Sequence, residues 1–261
     1  MNIKVITTMS QEYWDKVGQY SVSTWPRLMP QDWQLWMHNT PDIPLKVDRK
    51  LSGKEKEKWI ADAHATSNGK PLPPGYQSQW EMFCHKAFAQ WECYKEDPSG
   101  LMVWCDSDVK WLKQPNESLL KKCLEGKFCA YLGRDRVDTS QTAKKKYSKL
   151  TPETCIIIYD LDHPIAEEFF TRFENVYKSM ELFDLYSWCD AAVFEHVKAT
   201  LPVEYFNDIG KNDPPAIAPL PFNFLSEYFE HWMGWTNKEA REDISGKKEK
   251  EKTLRRLKRG K

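Results

Sequence analysis

Two acidic pairs have the residue types and spacing to do chemistry: Asp106-Ser107-Asp108 and Asp160-Leu161-Asp162. Each follows an apolar run, LMVWC at 101–105 and TCIIIY at 154–159, that reads as a buried strand. Carboxylates at i and i+2 of a strand end can turn toward one point when the chain bends between them. Hard divalent cations take oxygen ligands, and Mg²⁺ or Mn²⁺ often bridges carboxylates to a diphosphate. In open parallel sheets, ligands bind beyond the carboxyl ends of the strands, where Asp106 and Asp108 would lie. A lone Asp-x-Asp is also a common solvated loop. His163-Pro164 follow the second pair and look like a helix start, so Asp162 reads as an N-cap and the first pair as the metal site.

The elements that must position these groups alternate in type. Residues 3–8 (IKVITT) form a first strand. Ser10 caps a helix to about Trp25, with Tyr13, Trp14, Val17 and Tyr20 near one face, ended by Pro26 and Pro30. Residues 32–37 form a second strand that ends at His38-Asn39, and this β-α-β opening favours a parallel sheet. Residues 40–77 read as loops with a short helix near 53–63. Trp80, Phe83, Cys84, Ala87, Phe88 and Trp91 recur at helical spacing on one apolar face, with Lys86 away from its centre. Asn116 caps a helix carrying Leu119, Leu120, Cys123 and Leu124, which Gly126 ends. Residues 127–132 form another strand, and 135–150 a Lys-rich loop. A helix after Pro164 turns Ile165, Phe169, Phe170, Phe173, Val176, Tyr177 and Met180 inward, and another begins near Ser187 or Asp190. Residues 210–221 are Pro-rich loop, and 222–233 a short amphipathic helix or turn. About five strands among helices make an α/β fold with a mostly parallel central sheet flanked by helices. GxGxxG and GxxxxGK[ST] are absent, which disfavours dinucleotide dehydrogenases and P-loop phosphotransferases.

With 261 residues, 41% hydrophobic and 13% aromatic, the chain can bury a large core. Its 12 Trp read mainly as core, with ring-stacking surfaces as the alternative. Seven Cys without a CxxC pair read as buried free thiols in a reducing compartment. No signal peptide and no integral membrane segment is legible, so the expectation is a cytoplasmic protein. Formal charge is zero, yet residues 247–261 hold nine Lys/Arg against two Glu, a net +7 that leaves −7 on the rest. A basic tail suits an acidic partner, while a solvated terminus is the plainer alternative.

The ordered set FCHKAFA, VWCDSDVKWL, ETCIIIYDLDHP, WCDAAVF and HWMGWTNK, after the β-α-β start, resembles nucleotide-sugar-dependent glycosyltransferases of the GT-A fold. The similarity spans roughly residues 3–238 and implies a single GT-A-like domain over 1–246 with a basic tail at 247–261. By that resemblance Asp106 and Asp108 hold Mn²⁺ or Mg²⁺ against the diphosphate of a donor, a UDP-sugar by preference. His231 supplies a further ligand, and imidazole suits Mn²⁺ better than Mg²⁺. Gly234 lets backbone approach the diphosphate and Lys238 neutralises it, although such a Lys usually follows the Gly sooner. Thr7, Thr8 and Tyr13 fall where the base and ribose are held, Asn39 meets a pyrimidine edge, and Lys86 faces the donor. Asp190 matches an acid near the reacting sugar: a general base in an inverting enzyme, or a sugar ligand in a retaining one. A helix N-cap is its structural alternative. Glu153 is a further catalytic candidate toward sugar or acceptor.

The resemblance leaves three acceptor classes. The favoured one is a hydroxymethylated pyrimidine in DNA, as in phage-type DNA-modifying enzymes, with Lys144, Lys145, Lys146 and the tail meeting phosphates. The second is a glycan or lipid-linked acceptor, with the tail on an anionic membrane surface. The third is a non-catalytic nucleotide-sugar-fold binding module.

Overall fold

The structure, a computed structural model, describes residues 1–38, 43–73, 78–134, 151–214 and 219–232. Asn39, Lys144–Lys146, Gly234, Lys238 and the tail 247–261 lie outside the described residues. Nine strands are found among the described residues: β1 (Ile3–Thr8), β2 (Trp33–His38), β3 (Arg49–Leu51), β4 (Leu101–Cys105), β5 (Val109–Trp111), β6 (Cys129–Leu132), β7 (Glu153–Asp160), β8 (Phe206–Asp208) and β9 (Phe229–His231). Seven form the central sheet in the order β3-β2-β1-β4-β7-β6-β8, and β5 with β9 makes a separate ribbon. β1 runs parallel to β2 and β4, β2 to β3, and β6 to β8, while β7 is antiparallel to β4 and β6. The mostly parallel α/β sheet flanked by helices is as expected.

The continuous apolar strands follow from burial on both faces. Val5, Leu35, Val103, Cys105, Ile156 and Ile158 enter one core, with Trp14, Trp25 and Leu120. Ile6, Trp36, Met102, Trp104, Ile157 and Tyr159 enter the other, with Trp59 of the helix Lys54–Ser67, Phe88 of Trp80–Glu96, Phe173 of Ala166–Lys178 and Phe194 of Asp190–Lys198. Gly100 sets the start of β4. Its φ of 73° lies in the left-handed region, and a Cβ there would sit 2.1 Å from the Asn2 carbonyl oxygen, to which Leu101 N–H donates. All seven cysteines are free and buried. Among the described residues no helix is long and apolar enough to cross a membrane.

Several elements differ from expectation. The first helix is not one helix ended by Pro26. Residues 11–28 wind through short α, π and 3₁₀ turns, and Pro26 stands in the first turn of Trp25–Leu28, where its missing N–H costs nothing. Ser10 does cap the start, accepting from Tyr13 N–H, and Asn116 caps Glu117–Leu124 through Leu119 N–H. The helix near 53–63 extends to Ser67. The last amphipathic stretch forms a 3₁₀ turn (Phe224–Glu227) and then β9. Asp162 caps no helix. The helix begins at Ala166 behind Ile165, and Asp162 Oδ1 instead accepts from Gly100 N–H at 3.1 Å.

Candidate functional site

β4 ends at the rim of a cavity of about 440 Å³. Its walls are the end of β1 with the residues after it (Thr8, Met9, Ser10), Tyr13, the first turns of the helix Trp80–Glu96 (Met82, Phe83, His85, Lys86), and Trp104, Asp106, Ser107 and Asp108 at the end of β4. The bend between the two carboxylates is a tight turn in which Val109 N–H donates to the Asp106 carbonyl. The irregular segment 11–28 braces that turn. Ser21 Oγ donates to the Ser107 carbonyl, Trp25 Nε1 to the Val109 carbonyl at 2.8 Å, and Trp111 N–H to Thr24 Oγ1 at 3.1 Å. The two carboxylates are 9% and 6% exposed, and every oxygen is engaged. Asp106 Oδ1 accepts from Trp104 Nε1 at 2.9 Å and Oδ2 from Lys86 Nζ at 2.7 Å. Asp108 Oδ2 accepts from the Tyr13 hydroxyl at 3.0 Å.

His231 arrives through the small ribbon. β5 and β9 pair antiparallel with Val109 opposite His231, and Trp232 N–H donates to the Asp108 carbonyl. His231 Nε2 then lies 3.3 Å from Asp108 Oδ1, and Nδ1 lies 2.8 Å from Glu153 Oε1. Asp106, Asp108 and His231 each place one ligand atom within 4.8 Å of the others, a spacing that one divalent cation can span.

The titratable groups of the site act strongly on one another. Burial raises the Asp106 carboxyl and Asp108 adds to it, against the Lys86 ammonium, so it stands at about 6. Burial would raise Asp108 too, but the His231 charge and hydrogen bond hold it well below the ordinary carboxylate range. Burial would lower His231, yet Asp108 keeps the imidazole well above its usual value. For Lys86, burial is outweighed by Asp106 and Asp190, which raise the ammonium. Two buried carboxylates beside an imidazole form a donor set that fits Mn²⁺ or Mg²⁺, with the cation taking the place of the proton that Asp108 otherwise favours on the ring.

The structure thus brings Thr8, Tyr13, Lys86, Asp106, Asp108 and His231 together. Thr8 Oγ1 donates to the His38 carbonyl at 3.0 Å. Thr7 is fully buried beneath the rim, its Oγ1 without a hydrogen-bond partner among the described residues. Asp190 is not an N-cap in side-chain terms: Cys189 holds that position, and Asp190 opens the helix, 3% exposed, with Oδ2 unpartnered among the described residues. Its charge raises both Lys86 and Asp106. Glu153 lies against His231 and is not among the cavity-lining residues.

Sequence reasoning missed Trp104, Phe83 and His85. Trp104 and Phe83 carry an apolar pattern that reads as core, and the indole N–H that holds Asp106 leaves no periodic mark. His85 was legible as a polar residue beside Lys86. Burial lowers its imidazole to about 4, so it faces the cavity neutral.

The sequence matches no family model and no curated protein. Solved structures do match. A glycosyltransferase involved in the glycosylation of the major capsid of PBCV-1 superposes with a TM-score of 0.50 at 12% identity, over 93% of this chain and 98% of that one. The fold is the GT-A glycosyltransferase fold. A mannosyltransferase from S. cerevisiae gives a TM-score of 0.49 at 13% identity over 92% and 80% of the two chains. Core-mannan synthase A from Aspergillus fumigatus, in a Mn/GDP form, gives 0.48 at 13% over 87% and 82%.

Proposed function

We propose that this GT-A chain is a metal-dependent glycosyltransferase that moves a sugar from a nucleoside-diphosphate sugar to an acceptor hydroxyl. One observation carries it: two carboxylates and an imidazole from separate elements converge beside a cavity large enough for a nucleotide. Asp106, Asp108 and His231 would hold Mn²⁺ or Mg²⁺, which supplies positive charge to the departing diphosphate. Lys86, fixed on Asp106, adds a second positive charge on the same side. Thr8, Ser10, Tyr13, Met82, Phe83, His85 and Lys86 line the cavity and would enclose the nucleotide and keep water from the glycosidic carbon. The unpartnered Asp190 oxygen is a natural acceptor for a sugar hydroxyl.

For the acceptor we favour a glycan hydroxyl, in keeping with the viral neighbour, which is involved in capsid glycosylation. Nothing among the described residues supports a hydroxymethylated pyrimidine in DNA: Lys144–Lys146 and the tail 247–261 lie outside them. The test is release of nucleoside diphosphate from a panel of UDP- and GDP-sugars with Mn²⁺, with glycans and with hydroxymethylated DNA as acceptors. Turnover that requires Mn²⁺ and disappears in Asp108→Ala is expected. No release with any donor would sink the proposal, and transfer to DNA alone would restore the pyrimidine acceptor.

A further inference from the structure

Behind His231, on the side away from the two aspartates, stands a carboxylate with no evident task in sugar transfer. Glu153 opens β7, is 2% exposed, and has both oxygens held. Oε1 lies 2.8 Å from His231 Nδ1, and Oε2 accepts from Leu220 N–H at 3.3 Å. The opposite ring nitrogen, Nε2, is the one that faces Asp108, at 3.3 Å. The imidazole therefore stands between two carboxylates, with Glu153 at Nδ1 and Asp108 at Nε2.

We propose that Glu153 is a positioning residue that fixes the ring and tautomer of His231 so that Nε2 presents its lone pair to the cation. This inference rests on the metal site of the proposed function. A neutral imidazole carries one proton and can place it on either nitrogen; an acceptor at one nitrogen puts the proton there and frees the other for a metal. Glu153 is that acceptor. Cys155, two residues on, has its Sγ within 4.8 Å of ligand atoms of both residues, but sulfur is a weak acceptor and does not compete with a carboxylate for the N–H. Leu220 fixes the orientation of the carboxylate, so the ring is aimed by a group that is itself aimed. The role Glu153 plays is thus through His231 and not at the sugar.

Mn²⁺ binding to the 261-residue chain without nucleotide, followed by loss of the free-ion EPR signal, tests this. Glu153→Ala is expected to weaken Mn²⁺ binding about tenfold to a hundredfold, the usual effect of removing such a partner. Glu153→Gln, whose amide oxygen still accepts from Nδ1–H, should recover most of that loss, and Glu153→Asp, whose oxygens are withdrawn, should not. In a His231→Ala background Glu153→Ala should cost nothing further, since the ring it aims is gone. Should Glu153→Ala not fold, the Gln and Asp variants carry the comparison. The inference is overturned if Glu153→Ala or Glu153→Asp binds Mn²⁺ as the parent does while His231→Ala does not, or if the Glu153 and His231 losses add. Unchanged Mn²⁺ binding in both Asp108→Ala and His231→Ala would instead remove the metal site itself, and this inference with it.

Discussion

Asp106-Ser107-Asp108 and Asp160-Leu161-Asp162 have the same spacing and follow neighbouring strands, yet they sit at opposite ends of the sheet. β4 and β7 are antiparallel, with Leu101 opposite Asp160 and Cys105 opposite Ile156. The first pair therefore emerges at the carboxyl ends of the parallel strands, beside the cavity. The second emerges roughly 15 Å away along the strands, at the opposite edge. There it serves as a clasp: Asp162 Oδ1 holds Gly100 N–H, and Asp160 Oδ1 accepts from Asp162 N–H. The first pair is buried and meets a lysine and a histidine; the second has no such ion pair among the described residues. A motif of two carboxylates is chemically ambiguous, and strand direction resolves it.

Mutations can break that contrast. Asp108→Ala should lower sugar transfer on the order of a thousandfold, because the several kcal/mol contributed by a catalytic cation depend on it. Asp162→Ala should leave transfer and Mn²⁺ binding unchanged, and equal losses in the two variants would erase the distinction. A smaller effect is expected from Trp104→Phe, which removes the indole N–H shared by Asp106 Oδ1 and the Thr154 carbonyl. Loss of a hydrogen bond to a charged group should destabilise the fold by about 1.5–3 kcal/mol and weaken Mn²⁺ binding. Denaturant unfolding and a metal titration would show both, and a stability loss alone would mean that the indole only packs. Smaller again, Asp162→Ala should cost about 1 kcal/mol in denaturant unfolding with its metal affinity intact.

The last expected effect is absent at neutral pH and is read as a pH slope. Burial holds folded His85 at about 4, below the ordinary 6.5, so the unfolded chain takes up this proton first on acidification. Its contribution to stability is complete above about pH 6.5 and is lost as pH falls toward 4. His85→Gln should flatten the stability profile within that window. An unchanged slope would mean that His85 is not kept neutral in the folded chain.

Much of the site was legible because its residues sit at ends of strongly patterned elements. The run LMVWC predicts β4 to the residue, and the helical spacing from Trp80 to Trp91 predicts the helix that turns Lys86 toward Asp106. β5 and β9 were not legible. Strands of three residues are too short to show a period, and they exist because each completes the other's hydrogen bonds. Their pairing is what brings His231 to Asp108, so the proposed metal ligand was visible only by resemblance. The contact of Glu153 with His231, 78 positions away, was not legible either.

By itself, then, the sequence determined an α/β chain with doubly buried strands, an acid pair at the end of one of them, and a lysine on the facing helix. These follow from local periodicity and burial, which each segment carries alone. Only the tertiary structure decided which acid pair faces the cavity, that Trp104 and Lys86 divide the oxygens of Asp106, and that His231 stands between Asp108 and Glu153. Those outcomes depend on strand direction and on pairing between distant segments, and no single segment encodes either.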